Sequence, residues 1–405
     1  MQTNLSDQVK TLARAEEAES ILRSCVHCGF CNATCPTYQL LGNELDGPRG
    51  RIYLIKQVLE GEPVTAKTQL HLDRCLSCRN CETTCPSGVK YHALLDIGRA
   101  EVERRVERPA LERLLREGLR RVVPNPTVFG SLLKTGLFFR PVLPAALKRK
   151  LPVSGVQPKA RPKARHERRM LMLEGCVQPS LSPNTNAAAA RVLDRLGISV
   201  TYAPQAGCCG ATEYHLNDQD AGLAKARRNI DAWWPAVEAG AQAIVQTASG
   251  CGAFVKEYGH LLRDDAAYAT KAARISELAR DLVEVIGAEQ VESLPAKTAK
   301  RIAFHCPCTL QHAQKLGGTV ENVLQRLGFE LTTVPDAHLC CGSAGTYSIT
   351  QPALAAALRD NKLDALESGR PDVIATANIG CQMHLDGARR TPVRHWIELV
   401  EEALA

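Results

Sequence analysis

SCVHCGFCNATCP at residues 24–36 and CLSCRNCETTCP at residues 75–86 are one pattern written twice. Each reads Cys-x2-Cys-x2-Cys-x3-Cys-Pro, with Cys25, Cys28, Cys31 and Cys35 in the first run and Cys75, Cys78, Cys81 and Cys85 in the second. This is the ligand run of bacterial [4Fe–4S] proteins. A cube of that kind needs one thiolate on each iron. Three cysteines spaced by two residues wrap one corner of it on a tight loop, and the next turn carries the fourth away, with proline shaping its exit. In two-cluster ferredoxins that fourth cysteine serves the other cluster. Applied to this chain, one cluster takes Cys25, Cys28, Cys31 and Cys85, and the other takes Cys75, Cys78, Cys81 and Cys35. Structural zinc is the competing reading, but it prefers two CxxC-like pairs separated by a longer loop. Gly29 and Gly88 suit close backbone approach to a cluster. Arg49 and Arg51 are either charges that raise a cluster potential or surface arginines paired with carboxylates.

Composition narrows the class. The 405 residues have room for two or three domains. Aromatics make up only 4%, which argues against a stacking platform for single-stranded nucleic acid, so no nucleic-acid partner is expected. The net charge of +7 suits an acidic partner or a membrane surface and decides little alone. Seventeen cysteines do not read as a disulfide framework, because the chain is long, the number is odd and residues 1–20 carry no apolar leader. A reducing, cytoplasmic setting is expected. No run of eighteen apolar residues predicts a transmembrane helix. The nearest candidate, Val128–Leu147, is interrupted by Lys134, Arg140 and two prolines. It reads as a helix packed in a domain junction or as a surface-seeking face.

Residues 8–24, 51–60 and 91–121 have helical spacing, so the first cysteine module is mostly helical. Residues 148–169 form a basic linker with Lys148, Arg149, Lys150, Lys159, Arg161, Lys163, Arg165, Arg168 and Arg169. It reads as a solvated connector or as a contact for an acidic surface. Beyond it the sequence repeats. RMLMLEGC (169–176), ISVTYAP (198–204), Cys208-Cys209-Gly210 and AIVQTASGCG (243–252) return as RIAFHCPC (301–308), FELTTVP (329–335), Cys340-Cys341-Gly342 and DVIATANIGC (372–381). Two such βαβ-like units predict a pseudo-symmetric pair of α/β lobes, with cysteines just beyond strand ends. The fold class is therefore α+β multidomain. Its segments are a helical module at 1–123, a linker at 124–168 and lobes at 169–297 and 298–405.

Each lobe offers four thiols: Cys176, Cys208, Cys209 and Cys251, then Cys308, Cys340, Cys341 and Cys381, with Cys306 as an extra. Adjacent cysteines point apart, so they suit different irons of a cluster better than one tetrahedral ion. Single buried structural cysteines are common, but two fourfold sets at repeated spacing point to one or two further clusters. His27, His71, His92, His215, His305, His312 and His338 read as hydrogen-bonded neighbours, and His384 as the best alternative ligand. No Gly-rich dinucleotide fingerprint, P-loop, GxSxG or HExxH appears. The chain therefore offers no catalytic residues of its own and no flavin site.

SCVHCGFCNATCPTY (24–38), GPRGRIYLIKQVLEG (47–61) and CLSCRNCETTCPSGVKY (75–91) resemble the glycolate oxidase iron–sulfur subunit family. The two CCG segments resemble the cysteine-rich domains of the heterodisulfide-reductase type. The resemblance implies an electron-transfer subunit of a flavin-dependent 2-hydroxy-acid dehydrogenase. Glycolate is the implied substrate and D-lactate a second one. FAD-binding partner subunits, a quinone or membrane acceptor, and a peripheral place on the cytoplasmic face of the inner membrane follow from it. The competing complexes are an anaerobic glycerol-3-phosphate dehydrogenase and a lactate-utilisation system. A catalytic CCG disulfide reductase and a zinc interaction module are rivals of other classes. The chain departs from the fullest CCG pattern, whose repeats close on CxxC: here they close on Cys251-Gly-Ala-Phe254 and Cys381-Gln-Met-His384, and Cys306 stands where relatives often carry aspartate.

Overall fold

The computed structural model describes residues 1–142 and 158–404. Lys148, Arg149, Lys150 and the end of the apolar stretch at Leu147 lie outside them. The chain forms two compact units, Met1–Glu117 with His338–Lys362, and Gly118–Ala337 with Leu363–Ala405. A stretch of the second sequence repeat thus completes the N-terminal helical unit.

The first unit is built on helices Ala15–Ser24, Pro48–Glu60 and Tyr91–Arg105 around a core that includes Leu22, Ile55, Leu59, Leu94 and Leu95. The last two helices meet at Gly98, where a Cβ would stand 2.6 Å from Ile55 Cγ1. Two expected helices are split. The Thr11 hydroxyl donates back to the Gln8 carbonyl (2.8 Å), and the first helix stops at Lys10. The run over 91–121 breaks before Pro109, which disfavours helical backbone at Arg108. Arg108 is buried at the break and pairs with Asp73, Glu103 and Glu112.

The second unit holds two four-stranded parallel sheets. The first contains β1 (Arg168–Met172), β2 (Ile198–Thr201), β3 (Ile244–Gln246) and β4 (Ala279–Asp281) in the order β2-β1-β3-β4. The second contains β5 (Arg301–His305), β6 (Glu330–Leu331), β7 (Val373–Thr376) and β8 (Val393–His395) in the order β6-β5-β7-β8. The matching order makes the lobes topological copies. The expected strand at 329–335 shrinks to two residues. It pairs only with Arg301 and Ile302, then leaves the edge towards Pro335 and Asp336, whose φ is +47°.

One core serves both lobes, with Met170, Met172 and Val245 packing in the same cluster as Ile302, Phe304 and Val373. Polar bonds stitch the seam. Ser182 and Thr185 donate to Glu398 (3.1 and 2.5 Å), and His395 Nε2 donates to the Thr247 carbonyl (2.8 Å). Among the described residues of the basic linker, Lys159 pairs with Glu401, Arg161 with Glu174, Arg165 with Asp194 and Arg168 with Glu289. The described part of the apolar stretch forms the helix Pro126–Phe138, in which no residue is fully buried: Phe129, Leu133 and Leu137 are half-buried on the side of the short helix Gln178–Leu181, while Leu132 and Phe138 are exposed. Among the described residues no helix is long and apolar enough to cross a membrane.

Candidate metal centres

The two cysteine runs adopt the same backbone. Positive φ recurs two and four residues after the first cysteine, at His27 (+56°) and Gly29 (+83°), and again at Ser77 (+52°) and Arg79 (+61°). Such alternation turns N–H groups towards the loop interior, which is how backbone cradles anionic groups. Ser77 N–H points at Cys75 Sγ (3.4 Å). Glycine serves the first loop at the position where the second tolerates an arginine in the left-handed region.

Each loop gathers its own three thiols and one from the other run. Cys25, Cys28, Cys31 and Cys85 line one cavity with His27, Arg49 and Tyr91, and Cys81 of the other run reaches its wall. Burial pushes the Cys31 thiol up to about 11, with Cys25, Cys85 and Cys28 adding to the rise. Cys81 is pushed well above its ordinary value by burial first, then by Cys78, Cys75, Glu82 and Cys35. Bare thiols packed this closely keep one another protonated, and cations among them relieve that. Eight soft donors in two adjoining sets of four fit two iron–sulfur cubes.

The surroundings of the two sets differ. Arg49 lies against Gly29 on the surface, bonded to Glu44 at 2.6 Å. Arg51 is buried, donating to the His71 carbonyl (2.7 Å) and the Thr37 hydroxyl (3.1 Å). Thr37 Oγ1 lies 3.3 Å from Cys35 Sγ, and the Tyr91 hydroxyl donates to Cys75 Sγ (3.6 Å). Arg99, also buried, donates to the Leu72 and Cys75 carbonyls at 2.7 and 2.8 Å. Sequence spacing gave no signal for Thr37, Tyr91 or Arg99. Of the histidines, His71 bonds Asp46 (3.0 Å) and His92 bonds Glu82 (2.7 Å), in keeping with the reading of them as neighbours.

In the first lobe, Cys176 follows β1, Cys208 and Cys209 follow β2, and Cys251 stands in the helix after β3. β1 and β3 are the neighbours at which the strand order reverses, and ligand sites of open parallel sheets form at that point. The four thiols meet there. Cys208 bonds Cys176 and Cys209, and Cys209 bonds Cys251. Hydrogen bonds from Cys176 and Cys209 pull Cys208 down. Those same thiols are pushed up in return. Gly210 has φ +98°, and a Cβ on it would stand 2.4 Å from the Gly222 carbonyl oxygen, so the glycine of CCG seats the pair against the helix Gln219–Glu238. Gly342 repeats this at φ +86°, 2.7 Å from the Ala355 carbonyl oxygen.

The second repeat is divided. Cys340 and Cys341 are buried in the first unit, where Asn80 Nδ2 donates to the His338 carbonyl (3.1 Å) and the Tyr347 hydroxyl to the Arg74 carbonyl (3.1 Å). Cys306, Cys308 and Cys381 are buried in the second unit, and Asn378 Nδ2 donates to Cys381 Sγ (3.5 Å). His384 is half-buried in the helix Ile379–Asp386.

Comparison with known proteins accords with both cysteine patterns. A 4Fe-4S dicluster domain matches residues 21–89, and a cysteine-rich domain matches residues 170–256 and again 302–386. The glycolate oxidase iron-sulfur subunit of Escherichia coli (strain K12) is 70% identical over 100% of this chain and 99% of its own length. The chain belongs to the glycolate oxidase iron–sulfur subunit family. A probable member from Bacillus subtilis (strain 168) is 31% identical over 92% of this chain and 89% of its own. Lactate utilization protein A of Geobacillus thermodenitrificans (strain NG80-2) is 29% identical and aligns with 52% of this chain. Membership makes this an iron–sulfur protein. Its dicluster match contains all eight thiols of the two N-terminal sets, and its cysteine-rich matches contain all nine of the others.

Proposed function

We propose that this chain is the electron-carrying subunit of a glycolate-oxidising complex, taking electrons from FAD-binding partner subunits and passing them towards quinone. Two adjoining sets of four thiols carry the reading, on a chain 70% identical to a named glycolate oxidase iron-sulfur subunit. Cys25, Cys28, Cys31 and Cys85 would hold one [4Fe–4S] cluster, and Cys75, Cys78, Cys81 and Cys35 the other. The bound clusters supply one-electron uptake and release. The chain's own groups do the rest. The paired left-handed turns aim backbone N–H groups inward, while Ser77 N–H and the Tyr91 hydroxyl stand ready to stabilise sulfur charge.

Convergence of Cys176, Cys208, Cys209 and Cys251 supports a further cluster in the first lobe. Sequence repetition extends the candidate ligands to Cys308, Cys340, Cys341 and Cys381, with Cys306 and His384 as extras. The complex would sit in the cytoplasm or peripherally on the cytoplasmic face of the inner membrane. Segments 1–123, 124–168, 169–297 and 298–405 would be its sequence domains.

The test is reconstitution. Flavin subunits without this chain should be reduced by glycolate yet fail to reduce quinone, and adding the chain should restore quinone reduction. Undiminished quinone reduction without it would remove the reading.

A further inference from the structure

We propose that Arg51 is a built-in charge that raises the reduction potential of the cluster held by Cys35, Cys75, Cys78 and Cys81, favouring electron residence on that member of the pair. This rests on the ligand assignment proposed above.

The guanidinium side chain is 1% exposed and stands one hydroxyl away from a ligand thiol, through Thr37. An arginine does not give up its proton inside a protein, so the charge is permanent. Its carboxylate partner does not cancel it. Asp46 lies 3.7 Å from Arg51 but is shared with Arg74 (3.0 Å) and with His71 Nδ1 (3.0 Å). One anion therefore faces two fixed cations. Arg99 adds a third on the same side, bonded to the Cys75 carbonyl.

Adding an electron to a cluster adds negative charge to a buried site. A fixed cation there stabilises the reduced form more than the oxidised one, and low local dielectric preserves the effect. Burying a guanidinium is costly, and an apolar side chain would fill the space at no such cost. The contrast with the other set is direct. Its neighbouring Arg49 is 37% exposed and neutralised by Glu44 at 2.6 Å, so water and salt screen it. The Met1 amino group bonds the Cys25 carbonyl (2.7 Å) and works in the same sense on that set, from a partly open position. Greater exposure also raises the potential of the first set. The inference therefore concerns what Arg51 contributes to its own cluster, not the final rank of the two.

Anaerobic redox titration of the intact complex, followed by EPR, isolates that contribution. Arg51→Gln should make reduction of one N-terminal cluster about tenfold less favourable, about 59 mV for one electron, and leave the other midpoint in place. Arg51→Lys, which keeps the charge, should recover most of the shift. Arg99→Gln leaves the Asp46 network whole and should move the same midpoint in the same direction by less. If Arg51→Gln fails to load iron, the Arg99→Gln titration decides alone. Unmoved midpoints at full iron and sulfide content, or equal movement of both, overturn the proposal. A wild-type complex lacking two cubane signals would instead sink the ligand assignment.

Discussion

In the helical unit, three of each four thiols lie within Cys25–Cys31 or Cys75–Cys81, on loops whose backbone is already bent inward. In the first α/β lobe, the four come from segments that follow three different strands, Cys251 from a helix, and the sheet brings them together. The difference is in what does the positioning. A short loop gathers its thiols by local turns, and those thiols are themselves part of the core beneath it. A sheet gathers them by long-range packing that exists without any ligand. Cys25, Cys75 and Cys81 are part of the helical unit's core; Cys209 stands in the first lobe's core and Cys306 in the seam between the lobes, but Met170, Val245, Ile302, Phe304 and Trp396 fill most of that seam. Metal binding and folding should be coupled tightly in the first case and loosely in the second.

Anaerobic removal of iron is the strongest way to break this comparison. Hydrogen exchange should show helices Pro48–Glu60 and Tyr91–Arg105 losing protection by orders of magnitude while β1, β3, β5 and β7 keep theirs. Equal loss in both regions would show that the lobes depend on metal as much as the loops do. Next in size, Cys81→Ser should remove about four irons and one cubane EPR signal, whereas Cys251→Ser should leave both N-terminal signals intact. Gly210→Ala comes third. It places a Cβ 2.4 Å from the Gly222 oxygen at φ +98° and should destabilise the first lobe by about 3 kcal/mol in denaturant titration. Gly240→Ala, at φ +90° with open space around it, should cost only about 1 kcal/mol.

A comparable effect, confined to acid, is read from pH. Burial holds His395 down at about 4, neutral, with Nε2–H on the Thr247 carbonyl and Nδ1 accepting from Ile397 N–H. Between pH 4 and 6.5 the unfolded chain binds this proton and the folded chain does not. Stability is therefore complete above about pH 6.5 and should fall by up to about 3 kcal/mol as pH drops towards 4. Acid melts of His395→Gln, which cannot titrate, should lack that component.

The cysteine runs were legible because their geometry is local: the spacing contains the turn. The likeness of the two α/β lobes was legible from the repeat, and so was the placement of thiols beyond strand ends. Three things were not. The roles of Arg51, Arg99 and Thr37 come from contacts across distant sequence, and the spacing around Arg49 and Arg51 gave no sign of which was buried. The break at Pro109 was masked by leucine spacing that runs through it. The transfer of His338–Lys362 to the helical unit was hidden because its sequence copies a segment that stays with its own lobe.

That transfer bears on synthesis. Tyr347 and the His338 carbonyl close over loops that leave the ribosome more than two hundred residues earlier. The N-terminal cysteine loops are thus exposed, unfinished, through most of translation. A fragment ending near residue 120 lacks part of its own wall, and delivery of iron to the nascent chain would meet a half-built cradle.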